Sequence, residues 1–166
     1  MTDNALTTCL WFDTEGEDAA RHYVEIFRDS KLGRIVPYGE AGRREAEMTM
    51  VVEFELNGQK FIALNGGPQF EHSEAISFQI PCADQDEVDY YWDALTEGGE
   101  EGPCGWLKDR FGVSWQVVPT PVMELMGDPD PEKSKRAAEA LYSTMGKIDI
   151  ATIEAAHAGE PAATGG

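Results

Sequence analysis

Basic residues are scarce in this chain: 13 Lys and Arg stand against 31 Asp and Glu, a net charge of −18. Such a surface repels phosphate backbones and anionic lipid, so neither nucleic acid nor membrane is an expected partner. Cysteine is nearly as thin. Cys9, Cys82 and Cys104 are three in number and lack the C-x-x-C spacing, which argues against a disulfide framework and against a thiolate metal site. Reduced thiols in a cytoplasm are the expectation. No run approaches the roughly 18 consecutive apolar residues of a membrane span. Met1-Thr2-Asp3-Asn4 also lacks the basic-then-apolar order of a signal peptide. Asn65-Gly66-Gly67-Pro68 is the nearest thing to a glycine-rich nucleotide loop, but it leads into another strand rather than a helix.

What is present suits a folded protein. Hydrophobic residues make up 42% of 166, with four Trp among them, enough to bury a core. Residues 7–12 read as a strand. A helix over 17–27 follows, carrying Ala19, Ala20, Tyr23, Ile26 and Phe27 at helical spacing, with Asp13 or Thr14 placed to cap it. Strands are predicted over 31–38, 48–56 and 60–64, and Asn57-Gly58 marks a tight hairpin. The order then recurs: a strand over 75–80, a helix over 84–97 with Val88, Tyr91, Trp92 and Leu95 on one side, a stop at Gly98-Gly99, and a hairpin over 102–119. A βαβββ unit therefore occurs twice within about 115 residues, the signature of an internal repeat. Leu10-Trp11-Phe12 aligns with Phe78-Gln79-Ile80, and Ile62-Ala63-Leu64 with Trp115-Gln116-Val117. Beyond the repeat, Asp128-Pro129-Asp130-Pro131 opens a helix running to about 145, and 148–158 is a second helical piece. The Gly/Ala/Pro-rich end, 159–166, reads as disordered.

The richest segment is CGWLKDRFGVSWQVVP, 104–119. Asp109 and Gly112 give its turn the chemistry that reverses a chain. The strand after it alternates, with Val113, Trp115 and Val117 on one face and Ser114, Gln116 and Val118 on the other. Together with CLWFD (9–13), ALNGGP (63–68) and AISFQIPCADQDEVDYYW (75–92), this segment resembles the PhnB-like branch of the vicinal oxygen chelate superfamily. That superfamily includes the glyoxalase, bleomycin-resistance and dioxygenase proteins; the branch itself is often labelled 3-demethylubiquinone-9 3-methyltransferase. The resemblance covers about 6–156 and implies an α+β fold in which two βαβββ modules form a half-open curved sheet cleft. The modules are 6–67 and 74–119 within a domain of 6–119; the helical C-terminal extension is 120–158 and the disordered tail 159–166.

In the superfamily's enzymes, up to four side chains early in the first strand and late in the last strand of each module hold a divalent metal. Carried over, these positions fall at about Thr7, Ala63, Ala75 and Gln116. Alanine has no lone pair, and a neutral hydroxyl or carboxamide is a feeble ligand for first-row metals. His22, His72 and His157 stand on the first helix, in a loop and in the tail, so no metal site and no cofactor are expected. An S-adenosylmethionine motif is lacking too, so the methyltransferase label has no support in these residues.

The candidate ligand-binding residues are Cys9, Trp11, Ser77, Gln79, Ser114 and Gln116, as an amphipathic concave face, with Cys104 and Trp106 beside it. No catalytic residue is assigned. Cys104 lacks an adjacent base other than Lys108 across a turn, and reads as an inert thiol. Asp109 reads as a cap, Arg110 as solvated, and Trp92 as core. The expectation is a cytoplasmic, metal-independent protein that binds or sequesters a small organic molecule. The alternatives are an enzyme working in the same cleft, with Gln116, Ser114 or Cys104 polarising a substrate, and a non-catalytic structural dimer. A homodimer is expected, and a stripe of Ala137, Ala140, Leu141 and Met145 on the tail helix offers a second contact.

Overall fold

The structure, a computed structural model, describes residues 6–160. Contacts divide the chain into two units, the first ending at His72 and the second beginning at Ser73. The fold is α+β, and each unit holds one βαβββ module.

In the first unit the order is β1 (Thr8–Phe12), α1 (Gly16–Ile26), β2 (Ser30–Pro37), β3 (Thr49–Leu56) and β4 (Gln59–Asn65). They form one sheet in the order β1-β4-β3-β2, with β1 parallel to β4 and the other pairs antiparallel. Helix α1 buries Ala19, Ala20, Tyr23 and Ile26 against Phe12, Val52, Phe54 and Phe61, with Phe54 and Phe61 stacked at 5.1 Å. Neither Asp13 nor Thr14 caps it. The Gly16 N–H instead donates to Asn65 Oδ1 at 2.7 Å, a partner 49 residues away that no local pattern could reveal. At the β3–β4 hairpin, Asn57 (φ 47°) and Gly58 (φ 80°) are both left-handed, as a two-residue type I′ turn requires.

The second unit runs β5 (Phe78–Cys82), α2 (Gln85–Thr96), β6 (Glu100–Glu101), β7 (Trp106–Lys108), β8 (Ser114–Pro119), α3 (Thr120–Met126), α4 (Pro131–Tyr142) and α5 (Ile150–Ala158). Its sheet order, β5-β8-β7-β6, repeats the first, again with the outer pair β5–β8 parallel. Asp84 caps α2 by accepting from Glu87 N–H at 3.0 Å, and Val88, Trp92 and Leu95 face the core. The predicted strand over 75–80 starts late: residues 73–76 form a turn closed by Ile76 N–H to Ser73 O at 3.4 Å. An apolar residue without a buried partner does not make a strand, and Ile76 is 73% exposed.

The tail departs further from expectation. The sequence predicts a helical extension over 120–158 but no separate helix before 128; α3 begins directly after β8. With Pro121 in the first turn of α3, the proline costs no hydrogen bond. Asp130 caps α4, accepting from Glu132 N–H at 3.0 Å and Lys133 N–H at 3.3 Å. On the expected dimer stripe, Ala137 and Leu141 are buried within the unit, and Met145 lies beyond the helix end. Arg136 donates to Ala156 O at 3.0 Å and His157 O at 2.6 Å, satisfying the last carbonyls of α5. Ala137 and Leu141 of the stripe thus pack inside the second unit, Ala140 is half-buried, and Met145 is 79% exposed. Gly159 (φ 81°) closes α5; the remainder of the expected disordered tail, 161–166, lies outside the described residues. Among the described residues no helix is long and apolar enough to cross a membrane.

Pairing also corrects the alignment of the repeats. Leu10 pairs with Ala63, and Ile80 with Val117, and all four face the helix of their own unit, buried. Leu10 therefore corresponds to Ile80, Cys9 to Gln79 and Ile62 to Gln116. The first alignment was displaced by two residues and the second by one.

Candidate functional site

The second sheet turns one face to α2 and leaves the other open. Cross-strand partners share a face, so the pairs Gln79–Gln116, Trp106–Gln116 and Lys108–Ser114 place all five side chains on the open side. They meet there in a row. Gln116 Nε2 donates to Ser77 Oγ at 2.7 Å, and Gln79 Nε2 donates to Gln116 Oε1 at 3.2 Å. These two bonds leave Gln79 Oε1 and one N–H of each carboxamide for another partner. Gln79 is exposed and Gln116 half-buried. Ser114 is different: it is 1% exposed, and its hydroxyl has no hydrogen-bond partner. Sequence reasoning therefore placed Ser77, Gln79, Ser114 and Gln116 on one face correctly, although it assigned Ser77 to a strand it only precedes.

Beside Trp106 the open face meets a cavity of about 340 Å³. Pro103, Cys104 and Leu107 contribute to its wall, and Glu74, Glu100 and Lys108 to its rim. Lys108 Nζ lies 2.6 Å from Glu74 Oε1. That bond lifts the Lys108 ammonium above its ordinary value, with Glu100 adding to the effect, and holds the Glu74 carboxyl below its own. Glu74 and Glu100 were not among the ligand-binding candidates. The glutamate-rich stretch 97–101 reads from sequence as a solvated loop, and it takes the β6–β7 pairing and the turn before β5 to bring Glu100 and Glu74 to Lys108.

Cys104 lines this cavity in an unusual backbone state. Its φ is 56°, which costs a non-glycine residue of the order of 1 kcal/mol. Bonds from Cys104 N–H to Thr144 O (2.9 Å) and from Gly105 N–H to Gly146 O (3.1 Å) hold it there. Its S–H donates to Leu141 O at 3.4 Å. This geometry ties the thiol to the end of α4 and sets no base beside it.

Asp109 behaves as the turn-former it was read to be. It is 3% exposed and accepts from Phe111 N–H (2.8 Å), Val113 N–H (3.0 Å) and Trp115 Nε1 (2.8 Å). Arg110 lies with its guanidinium 5.0 Å from the Phe111 ring centre. Trp92 is core, as expected, at 2% exposure.

The first sheet's open face carries Cys9 and Trp11, with Ile62 and Leu64 in register beside them. Trp11 is engaged by its own unit: its Nε1 donates to Gly67 O at 2.7 Å, and its ring meets Phe70 edge-on at 5.0 Å. A Cβ on Gly66 would stand 2.3 Å from that ring, so the glycine is what admits the indole. Cys9 is exposed.

The superfamily's metal positions can now be tested against these donors. Ala63 faces α1 rather than the open side, and Ala75 precedes β5. The corrected register puts Thr7, Ile62, Ser77 and Gln116 at the corresponding places. Ile62 has no lone pair, and the Gln116 carboxamide is already bonded to Ser77 and Gln79. Among the described residues no three His, Cys, Asp or Glu side chains gather in a group able to hold a metal ion. The residues present do not fit a divalent metal, whose sites draw on imidazole, carboxylate or thiolate.

A family model described as 3-demethylubiquinone-9 3-methyltransferase matches residues 4–118. The chain belongs to this family. It is a PhnB-like member of the vicinal oxygen chelate superfamily. Among solved structures, a Bacillus cereus PhnB protein, described as a 3-demethylubiquinone-9 3-methyltransferase, is 29% identical; the match covers 69% of this chain and 98% of that one, at a TM-score of 0.63. A Pseudomonas aeruginosa protein is 22% identical, with 69% and 96% covered and a TM-score of 0.58; it shows the shared fold. Among curated proteins nothing matches. On this PhnB-like scaffold the open face of the second sheet is where polar groups converge.

Proposed function

We propose that this PhnB-like chain binds or sequesters a small organic molecule without a metal, on the open face of its second sheet. The observation that carries the reading is the hydrogen-bonded row Ser77–Gln116–Gln79 next to Trp106 and a cavity of about 340 Å³. A few convergent polar groups beside an aromatic wall are what orient a small ligand. The row also stands where relatives with a metal would place ligands, so the ligand's own polar groups meet carboxamides and a hydroxyl instead.

The same reading takes the protein as a cytoplasmic homodimer. Three unpaired thiols support the compartment. The eight-residue edge strand β2, with Ile35 38% exposed, supports self-pairing, and light scattering after size exclusion tests it. Native mass spectrometry on protein purified without chelators, with elemental analysis, tests the main claim. A metal-free protein that carries a small molecule, and that loses it on Gln116→Ala with an unchanged melting midpoint, is the expected result. A stoichiometric divalent metal would overturn the metal-independent reading. Turnover of the bound molecule, abolished by the same substitution, would make the chain an enzyme.

A further inference from the structure

The cavity beside Trp106 carries more information than its presence. Its apolar side is Trp106 with Pro103, and its rim holds Glu74, Glu100 and Lys108. Two carboxylates, Glu74 and Glu100, face one ammonium there, an excess of one negative charge, within a chain of net charge −18. The ammonium is already engaged, 2.6 Å from Glu74. Glu100 pairs with Lys108 across β6 and β7 and so faces the same side of the sheet. Glu101 pairs with Leu107 instead, so its carboxylate turns to the α2 side, where Oε1 accepts from Trp92 Nε1 at 3.3 Å.

Each ligand class meets this rim differently. An anion meets surplus negative charge and a cation whose partner it must displace. A neutral molecule gains the contact with Trp106 and Pro103 and nothing more. An organic cation gains that contact, the attraction of the indole face for a positive charge, and the field of the carboxylates. We propose that the cavity accepts a small organic cation, an ammonium compound with an apolar body. The inference rests on the reading of this face as a small-molecule site, and adds the charge class of its occupant.

Three probes that share one aromatic body separate the possibilities: benzyltrimethylammonium, benzyl alcohol and benzoate, each titrated into the full chain by calorimetry. The cation should bind about tenfold or more tighter than the alcohol, with benzoate weakest. Raising the salt from about 20 to about 300 mM should weaken the cation several-fold and leave the alcohol unchanged. Glu100→Gln, at an exposed edge, should cost the cation about two- to fivefold. Glu74→Gln frees Lys108 and should move the preference toward benzoate. Trp106→Leu, with folding checked by circular dichroism, should abolish the cation's advantage.

If the alcohol binds as well as the cation, or benzoate binds more tightly, the charge inference is wrong while the small-molecule reading stands. Binding by none of the three overturns this inference. A molecule co-purified in a Gln116-dependent manner would then show that the small-molecule reading survives without it.

Discussion

The two units share strand order, the parallel outer pair and a helix on one face, yet they differ in what holds them and in what they show. In the first, a buried asparagine is the hub. Asn65 accepts from Gly16 N–H at 2.7 Å, donates to Thr49 O at 2.9 Å, and takes the Tyr38 hydroxyl on its carbonyl. In the second, a buried aspartate gathers three donors around one turn. Their open faces diverge as well: Cys9, Ile62 and Leu64 on the first, Gln79, Gln116 and Lys108 on the second. A duplicated scaffold keeps its helix-facing pattern because packing demands it. Its open face is free to change chemistry, and here the polar chemistry sits on the second copy.

The sharpest way to break the comparison is at the hubs. Asp109→Ala should lower stability by about 3–5 kcal/mol, since it strands two backbone N–H groups and an indole N–H in a dry site. Asn65→Ala should cost about 2–4 kcal/mol for the loss of two such bonds. Urea denaturation followed by circular dichroism measures both. A smaller loss for Asp109 than for Asn65 would mean that the turn is less central to the second unit than its geometry says.

Next in size is Gly66→Ala. The added methyl would meet the Trp11 ring at 2.3 Å and should destabilise by about 1–3 kcal/mol through displacement of the indole. Red-shifted tryptophan emission and a lowered urea midpoint are the readouts. Gln116→Ala, by contrast, should leave stability within about 1 kcal/mol and act on ligand uptake instead. A hub-sized loss there would recast the polar row as structural glue.

Smaller effects come from titration. The hydrogen bond from Thr49, followed by that from Arg21, holds the Glu17 carboxyl of the first unit below its ordinary value. In the second unit, bonds from Asp130 N–H and then His157 do the same for Asp128. A carboxyl depressed in the folded state adds stability above its unfolded pKa and loses it as pH falls through the folded one. Stability should therefore decline on acidification below the ordinary carboxylate range, and Thr49→Val should flatten the Glu17 part of that decline. The thiols give a last test. Burial, with Glu87 and Asp84 adding to it, pushes Cys82 up to about 12, while Cys9 is exposed. Alkylation at pH 8 read by mass spectrometry should mark Cys9 first and Cys82 only on unfolding.

Much of this was legible in the residues. Helical spacing located α1 and α2, Asn57-Gly58 located a hairpin, and the run after Gly112 placed Ser114 and Gln116 on one face. Each of these is a short-range rule of backbone geometry or of burial on one side. The misses share the opposite character. The α1 start depends on Asn65, the last residue of β4, 49 residues away; the cavity rim depends on Glu74 and Glu100 reaching Lys108; two residues of the tail stripe, Ala137 and Leu141, are buried by packing within the second unit.

The sequence by itself determined the family, the repeated βαβββ order and the poverty of metal-ligating side chains at the positions that would need them. Those follow from residue identity and from periods of two and 3.6. Tertiary structure decided the register between the repeats, the occupation of Trp11 by its own loop, and the meeting of carboxylates with Trp106. Pairing between strands far apart in the chain sets which side chains share a face, and a shift of one residue exchanges one face for the other.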